Sequence, residues 1–127
     1  LKEGYRSWGG GLGLSRNLSG IELDAAYEYI NWYLSGWVGG LLMRQGYYSA
    51  APETSKLHMS EDEWGYWFEG KPANSDIIDP FGNKLEKAGA TRDGGSFDDR
   101  MGRVECWNSV MKENRYMVKK WNEFIAA

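Results

Sequence analysis

The side chains that could take part in acid–base or metal chemistry are few in this sequence. His58 is the only histidine, so a histidine-based catalytic triad or a histidine-rich metal site is nearly excluded. As a lone histidine before a predicted helix, it is expected to be a solvated loop residue. Two acidic pairs remain, Asp62-Glu63 and Asp98-Asp99. Both stand at predicted helix starts, where capping and the helix dipole account for them without catalysis.

Residues 69–95 are rich in Gly, Asn, Asp and Pro and predict a long surface loop. Asp76, Asp79 and Asn83 resemble a calcium-binding loop only faintly, because the spacing and the terminal Glu of an EF-hand are missing. We therefore expect no metal ion and no cofactor. An enzyme that uses carboxylates in this loop has little support, and the chain is expected not to be an enzyme.

Aromatic side chains are unusually abundant, with seven Trp, eight Tyr and four Phe. Most are expected in the core, but Trp and Tyr also carry a polar edge that suits a wet binding cleft. A cleft lined by aromatic faces and carboxylates fits an alkyl-ammonium ligand, which accepts cation–π contacts and charge-assisted hydrogen bonds. Trp8, beside flexible glycines, and Tyr47-Tyr48, after a predicted helix, are the best-placed aromatics for such a cleft.

Composition excludes several classes of protein. The 127 residues suit one domain or part of a larger one, and 42% hydrophobic residues argue against disorder. The net charge of −3 comes without a basic patch, so no nucleic-acid partner is expected. No stretch is apolar enough to cross a membrane. The single cysteine, Cys106, is predicted to be a small buried residue within a helix.

The N-terminal residues 4–18 combine glycines with alternating apolar residues. Leu12 and Leu14 predict a short strand, and Gly9-Gly10-Gly11 could serve as a hinge. One strand cannot form a sheet alone. Either it pairs with strands from elsewhere, or it is not a strand.

Two helices are predicted next. Ser19 and Glu22 match a capping box that starts a helix over 20–34. Ser35 is interpreted as a second N-cap, followed by a short helix towards Gly46. The apolar stripe of the first helix contains Leu23, Ala26, Tyr27, Ile30 and Leu34.

The second half of the chain begins with another capping box, Ser60 with Glu63, which predicts a short aromatic helix. Ser96 is a predicted N-cap for one long helix over 97–125. Its apolar side is expected to contain Met101, Val104, Trp107, Val110, Met111, Met117, Val118, Trp121, Phe124 and Ile125.

Four segments, in this order and spacing, carry a family resemblance: EGYRSWGGGLGLSRN, AYEYINWYLS, RQGYYSAAPE and RDGGSFDDRMGRVECWNSV. Together they resemble the C-terminal third of periplasmic substrate-binding proteins of ABC transporters, with the spermidine/putrescine-binding group as the closest branch. The resemblance covers nearly the whole chain. Each motif is moderately specific by itself, and their order makes the match.

The resemblance implies an α/β fold with two lobes, the type II periplasmic-binding-protein fold, of which this chain would be a C-terminal fragment. The fragment would be mostly helical, with a crossover or hinge strand in 1–18. Helices in 19–51 would pack on the first lobe, and helices in 52–127 would belong to the second. The signal peptide would not be part of this chain.

The implied function is capture of a small cationic, polyamine-like or amino-acid-like solute between the lobes and its delivery to a membrane permease. Trp8 matches the family's tryptophan that packs against the polyamine chain, and Tyr47 matches an aromatic that closes the site. Asp98 falls near a polar ligand contact, with Tyr48 and Arg100 as lesser candidates.

One position departs from the family pattern. Polyamine binders carry an aspartate two residues after the tryptophan, and here that position is Gly10. Loss of this partner for an ammonium group weakens the polyamine assignment more than the transport assignment. Asp98 is a candidate to replace the missing carboxylate, whereas Arg100 would favour a solute with a carboxylate. Arg100 could equally form a surface ion pair with Asp99 or Glu105.

A different class of function remains open. The chain could be a stand-alone helical interaction module that dimerises through its terminal helix, since exposed apolar helix faces predict self-association.

Overall fold

A computed structural model of the protein describes residues 3–109 and 112–126. Within this range the chain is mixed α/β, as predicted, with six helices and four short strands. The helices are α1 (Gly20–Leu34), α2 (Trp37–Met43), α3 (Pro52–Lys56), α4 (Glu61–Trp67), α5 (Phe97–Met101) and α6 (Asn114–Ile125). The strands are β1 (Tyr5–Ser7), β2 (Ile77–Ile78), β3 (Lys84–Glu86) and β4 (Val104–Trp107).

The chain divides into two compact units. The first combines the residues up to Gly10 with those from Val104 onwards. The second is formed by Gly11–Arg103.

A parallel pair of strands from opposite ends of the sequence forms the basis of the first unit. In the pairing of β1 with β4, Tyr5 lies opposite Val104 and Ser7 opposite Trp107. The backbone N–H of Asn108 extends the pairing by donating to the Ser7 carbonyl at 2.8 Å. These contacts link the two ends of the described chain.

The predicted strand at Leu12 and Leu14 is wrong, because this segment does not form a strand. Both leucines are exposed and lie in irregular backbone, whereas the strand β1 lies upstream of the glycines. The partner of β1 is supplied by this chain itself.

The single helix predicted over 97–125 is also wrong. This stretch contains α5, β4 and α6. Val104 and Trp107 have helical spacing, but ladder hydrogen bonds to β1 hold them in a strand. Cys106 therefore lies exposed on β4 and is not a buried helical residue. Val110 and Met111, predicted for the same helix, lie outside the described residues.

In the second unit, α1 has the predicted bounds, but its caps differ from those predicted. Ser19 occupies the N-cap position without a capping hydrogen bond from its side chain. Ser35 ends α1, where its Oγ donates to the Trp32 carbonyl at 2.7 Å. The N-cap of α2 is Gly36, with φ of 108°, which only glycine adopts at little cost.

Both later N-caps are confirmed. The Ser60 Oγ accepts from the Glu63 N–H at 3.1 Å, and the Glu63 carboxylate accepts from the Ser60 N–H at 2.8 Å. Ser96 and Asp99 form the same reciprocal pair at the start of α5. These local hydrogen bonds satisfy backbone donors that a helix start leaves without partners.

The predicted long loop over 69–95 contains an antiparallel hairpin of β2 and β3. Its turn is organised by Asp79, whose carboxylate accepts from the backbone N–H groups of Phe81 and Asn83, both at 2.8 Å. The loop is tied back where Ala73 exchanges backbone hydrogen bonds with residues 89 and 90.

The hydrophobic core lies in the second unit and is largely aromatic. Its buried members are Met43, Trp64, Tyr66, Trp67, Ala73 and Ile77, with Met59 and Phe68 packed against them. His58 is exposed in a turn before α4, as predicted. None of the described helices is long and apolar enough to cross a membrane.

Candidate functional site

The predicted ligand residues fall in both units. Trp8 belongs to the first unit and is 58% exposed. Its indole ring is close to Gly10, since a Cβ at Gly10 would lie 3.6 Å from the ring atom Cζ3. The segment therefore presents a large aromatic surface to solvent next to a position that has room for a side chain.

Tyr47 and Tyr48 leave α2 through a tight helix-ending turn. Gly46 has φ of 90°, and its N–H donates to the Met43 carbonyl at 2.9 Å. The Tyr47 N–H donates to the Leu42 carbonyl at 3.2 Å. This pair of bonds is a Schellman motif, which requires a left-handed residue at the Gly46 position. The Tyr47 side chain is 48% exposed.

Tyr48 is half-buried against what we call the aromatic stack, formed by Trp64, Phe68 and Phe97. The stack is continuous, with ring centroids 4.2 Å apart between Trp64 and Phe68 and 4.8 Å apart between Phe68 and Phe97. The Tyr48 ring meets Phe97 edge-on at 4.8 Å. Part of Tyr48 thus serves packing, whatever it contributes to a ligand.

Asp98 and Arg100 lie on α5. Asp98 is exposed and lines an open depression together with Gly94, Gly95, Asp99, Gly102 and Arg103. Arg100 donates from Nη1 to the Asp93 carbonyl at 2.5 Å. Arg103 donates to the Gly94 carbonyl of the same turn. The arginines of this region thus hold the turn before α5 in place.

The acidic residues at helix starts have structural partners. Hydrogen bonds from the Ser96 hydroxyl and backbone hold the pKa of Asp99 below its usual value. Burial opposes ionisation of Glu63, but hydrogen bonds from Arg44 and Ser60 outweigh it and lower the pKa. The Ser75 hydroxyl is the main cause of the lowered pKa of Asp62. Capping accounts for Glu63 and Asp99, whereas Asp62 joins the start of α4 to the backbone of residues 74 and 75.

The acids of the loop are engaged in a similar way. Asp76 forms an ion pair with Lys84 at 2.5 Å and accepts from the Ala88 N–H at 3.0 Å. Asp79 organises the hairpin turn through Phe81 and Asn83. Among the residues that the structure describes, no cluster of three or more His, Cys, Asp or Glu could hold a metal ion.

Arg92 is the residue that sequence reasoning missed. Its Nη1 donates to the Tyr48 hydroxyl at 2.9 Å and to the Trp67 carbonyl at 2.7 Å. Its Nη2 donates to the Gly46 carbonyl at 2.8 Å. The partners lie 25 to 46 positions away, so no local pattern could have indicated it.

Trp8 in the first unit and Tyr47 in the second each expose aromatic surface to solvent, whereas Arg100 and Arg103 donate to backbone carbonyls. In comparisons with known proteins, no family profile, no curated protein and no solved structure matched this chain.

Proposed function

We propose that this chain is part of the solute-binding component of an ABC import system in the periplasm, with the two-lobe type II binding-protein fold in the complete protein. The component captures a small cationic solute in its cleft and delivers it to a membrane permease. No covalent bond is made or broken. The order and spacing of EGYRSWGGGLGLSRN, AYEYINWYLS, RQGYYSAAPE and RDGGSFDDRMGRVECWNSV support this assignment.

The observation that carries it is the segment from Trp8 to Gly13. An exposed indole offers a face on which an alkyl-ammonium group can bind by a cation–π contact. A Cβ at Gly9, Gly11 or Gly13 would meet no atom within 4 Å. Packing therefore does not demand glycine at these positions. Backbone freedom is the remaining physical reason for so many glycines, and cleft closure uses such freedom.

Several carboxylates at the helix starts and in the loop have structural roles. Asp62, Glu63, Asp76, Asp79 and Asp99 each accept hydrogen bonds that cap a helix, close a turn or join two segments. Each of them therefore has a structural reason for its position.

The proposal is tested with the full-length natural protein that contains these residues. The thermal unfolding midpoint is measured in the presence of each solute, and the dissociation constant is measured by calorimetric titration. The solutes are putrescine, spermidine, γ-aminobutyrate, choline-like cations and simple amino acids. We expect Trp8→Ala to weaken binding of the tightest-bound solute by about tenfold, which corresponds to the loss of one partly desolvated cation–π contact. The thermal midpoint of the unliganded protein should fall by no more than about a few degrees, because more than half of the side chain is exposed.

The missing carboxylate gives the same experiment a gain-of-function arm. Apart from its chain neighbours, a Cβ at Gly10 would have one described neighbour within 4 Å, the Trp8 ring at an ordinary distance of 3.6 Å, so we expect Gly10→Asp to be accommodated. It should strengthen diamine binding by about tenfold or more, as a new charge-assisted hydrogen bond would.

Trp37→Ala serves as the matched control, because Trp37 is another half-exposed indole and should leave solute affinity unchanged. Equal losses for Trp8→Ala and Trp37→Ala would remove Trp8 from the site. Binding of acidic or zwitterionic solutes alone would keep the receptor and discard the polyamine assignment. No binding of any solute would contradict the proposal itself.

A second candidate function rests on α6. Five apolar residues at helical spacing, all at least half exposed, form what we call the α6 face: Met117, Val118, Trp121, Phe124 and Ile125. Adjoining exposed apolar side chains on one helix face are a candidate protein-interaction surface. A module that pairs through α6 with a second copy would cover this face.

Sedimentation velocity distinguishes the two candidates. If the chain is a module that dimerises through α6, the full-length protein is a dimer. Trp121→Glu should then raise the dimer dissociation constant by about 100-fold, as loss of a central interface aromatic does. Tyr116→Glu adds the same charge to α6 at a residue that is not part of the α6 face, and should change little. A monomer unaffected by either substitution would contradict the module.

A further inference from the structure

The Arg92 guanidinium connects three segments of the second unit. It donates to the Gly46 carbonyl at the end of the turn after α2, to the Tyr48 hydroxyl, and to the Trp67 carbonyl at the end of α4, at 2.7–2.9 Å. Three acceptors around one planar group match the fixed fork of an arginine. A lysine ammonium, as a point donor on a flexible stem, could not reproduce this arrangement.

Aromatic rings enclose the same guanidinium. Its central carbon lies 5.0 Å from the centroid of the Tyr48 ring and 5.0 Å from that of Trp67. Burial lowers the pKa of Arg92, and the neighbouring Arg100 acts in the same direction. Within residues 3–109 and 112–126, Arg92 forms no salt bridge with a carboxylate. Carbonyl dipoles and ring faces therefore compensate the charge.

Two of the three acceptors belong to the residues on either side of Tyr47. The Gly46 carbonyl precedes Tyr47, and the Tyr48 hydroxyl follows it. The Tyr47 backbone is additionally held by the Schellman bond to Leu42. Arg92 thus fixes the backbone around Tyr47 while the Tyr47 side chain remains 48% exposed.

We infer that Arg92 is a positioning residue that holds Tyr47 in place for ligand binding. The inference rests on the proposed function, because the family resemblance behind that proposal implies that Tyr47 contacts the solute. A preorganised aromatic binds more tightly than a mobile one, since less conformational entropy is lost on binding. Arg92 itself need not touch the solute.

The test compares Arg92→Lys with Arg44→Lys in the full-length protein. Arg44 is a matched control on the same stretch of chain. Its side chain donates to the Glu63 carboxylate and to the His58 carbonyl. Deuterium uptake of peptides covering 46–48 is measured without solute, and solute affinity is measured by titration.

In Arg92→Lys we expect uptake at 46–48 to be at least about tenfold faster, as loss of charge-assisted hydrogen bonds implies, and solute affinity to fall about tenfold. Arg44→Lys should change neither quantity. Unchanged uptake in Arg92→Lys, equal increases in both variants, or faster uptake with full solute affinity would each overturn the inference.

Failure of the proposed function can be distinguished from failure of the inference, because the uptake measurement needs no solute. Faster uptake only in Arg92→Lys, in a protein whose wild type binds no solute, would support the role of Arg92 in holding Tyr47 and contradict the receptor. If Arg92→Lys does not fold, Tyr48→Phe removes one acceptor and keeps the ring. Tyr48→Phe should then increase uptake at 46–48 by less than the increase expected for Arg92→Lys. If uptake did not increase at all, the inference would be overturned.

Discussion

Gly36→Ala should lower the free energy of unfolding by about 4 kcal/mol or more, an exceptional value for one methyl group. Gly36 has φ of 108°, where an L side chain is strained. An added Cβ would also overlap the Thr54 carbonyl group and lie 2.7 Å from the Ser55 nitrogen. These are backbone atoms of α3 that no side-chain rotation can move away.

The two contributions can be separated with Gly82→Ala. Gly82 has φ of 89°, but a Cβ there meets nothing within 4 Å. This variant carries the backbone strain alone and should lose about 1–2 kcal/mol. Urea titrations of both variants at equal m-value give the difference. Equal losses would contradict the close approach of α2 and α3 at Gly36.

Trp64→Ala should lower the free energy of unfolding by about 3–5 kcal/mol, the usual range for a buried tryptophan. Trp64 is 7% exposed and stacks on Phe68 with an angle of 17° between the rings. Its loss leaves a cavity at one end of the aromatic stack. Because Phe68 also stacks on Phe97 of α5, the contact between α4 and α5 should loosen as well.

Trp64→Phe is the matched variant, since it keeps an aromatic ring in the stack. It removes the Nε1 hydrogen bond to Glu69, which has a length of 3.0 Å, and should lose only about 1–2 kcal/mol. The free energies of unfolding of both variants are compared by urea titration, with tryptophan fluorescence as the signal. If Trp64→Ala lowered the free energy of unfolding by less than Trp64→Phe does, the aromatic stack would contribute little to stability.

The candidate site could be predicted only in part. The exposed Trp8 and the helix-ending turn before Tyr47 follow from local glycines and aromatics, which are visible in the sequence. The contacts of Tyr48 with Phe97 and Arg92 join positions more than forty residues apart. Such contacts depend on how helices pack, and periodicity along the chain does not contain that information.

Features governed by neighbouring residues were determined by the sequence itself. The bounds of α1 follow from its apolar spacing, and the starts of α4 and α5 follow from the capping boxes of Ser60 and Ser96, because these signals act within one helical turn. Tertiary structure decided the fate of Val104–Trp107. Helical spacing predicted a helix, but pairing with Tyr5–Ser7, about a hundred residues away, made a strand. It also decided the role of Arg92, since a guanidinium finds its three acceptors only after the segments that carry them have come together.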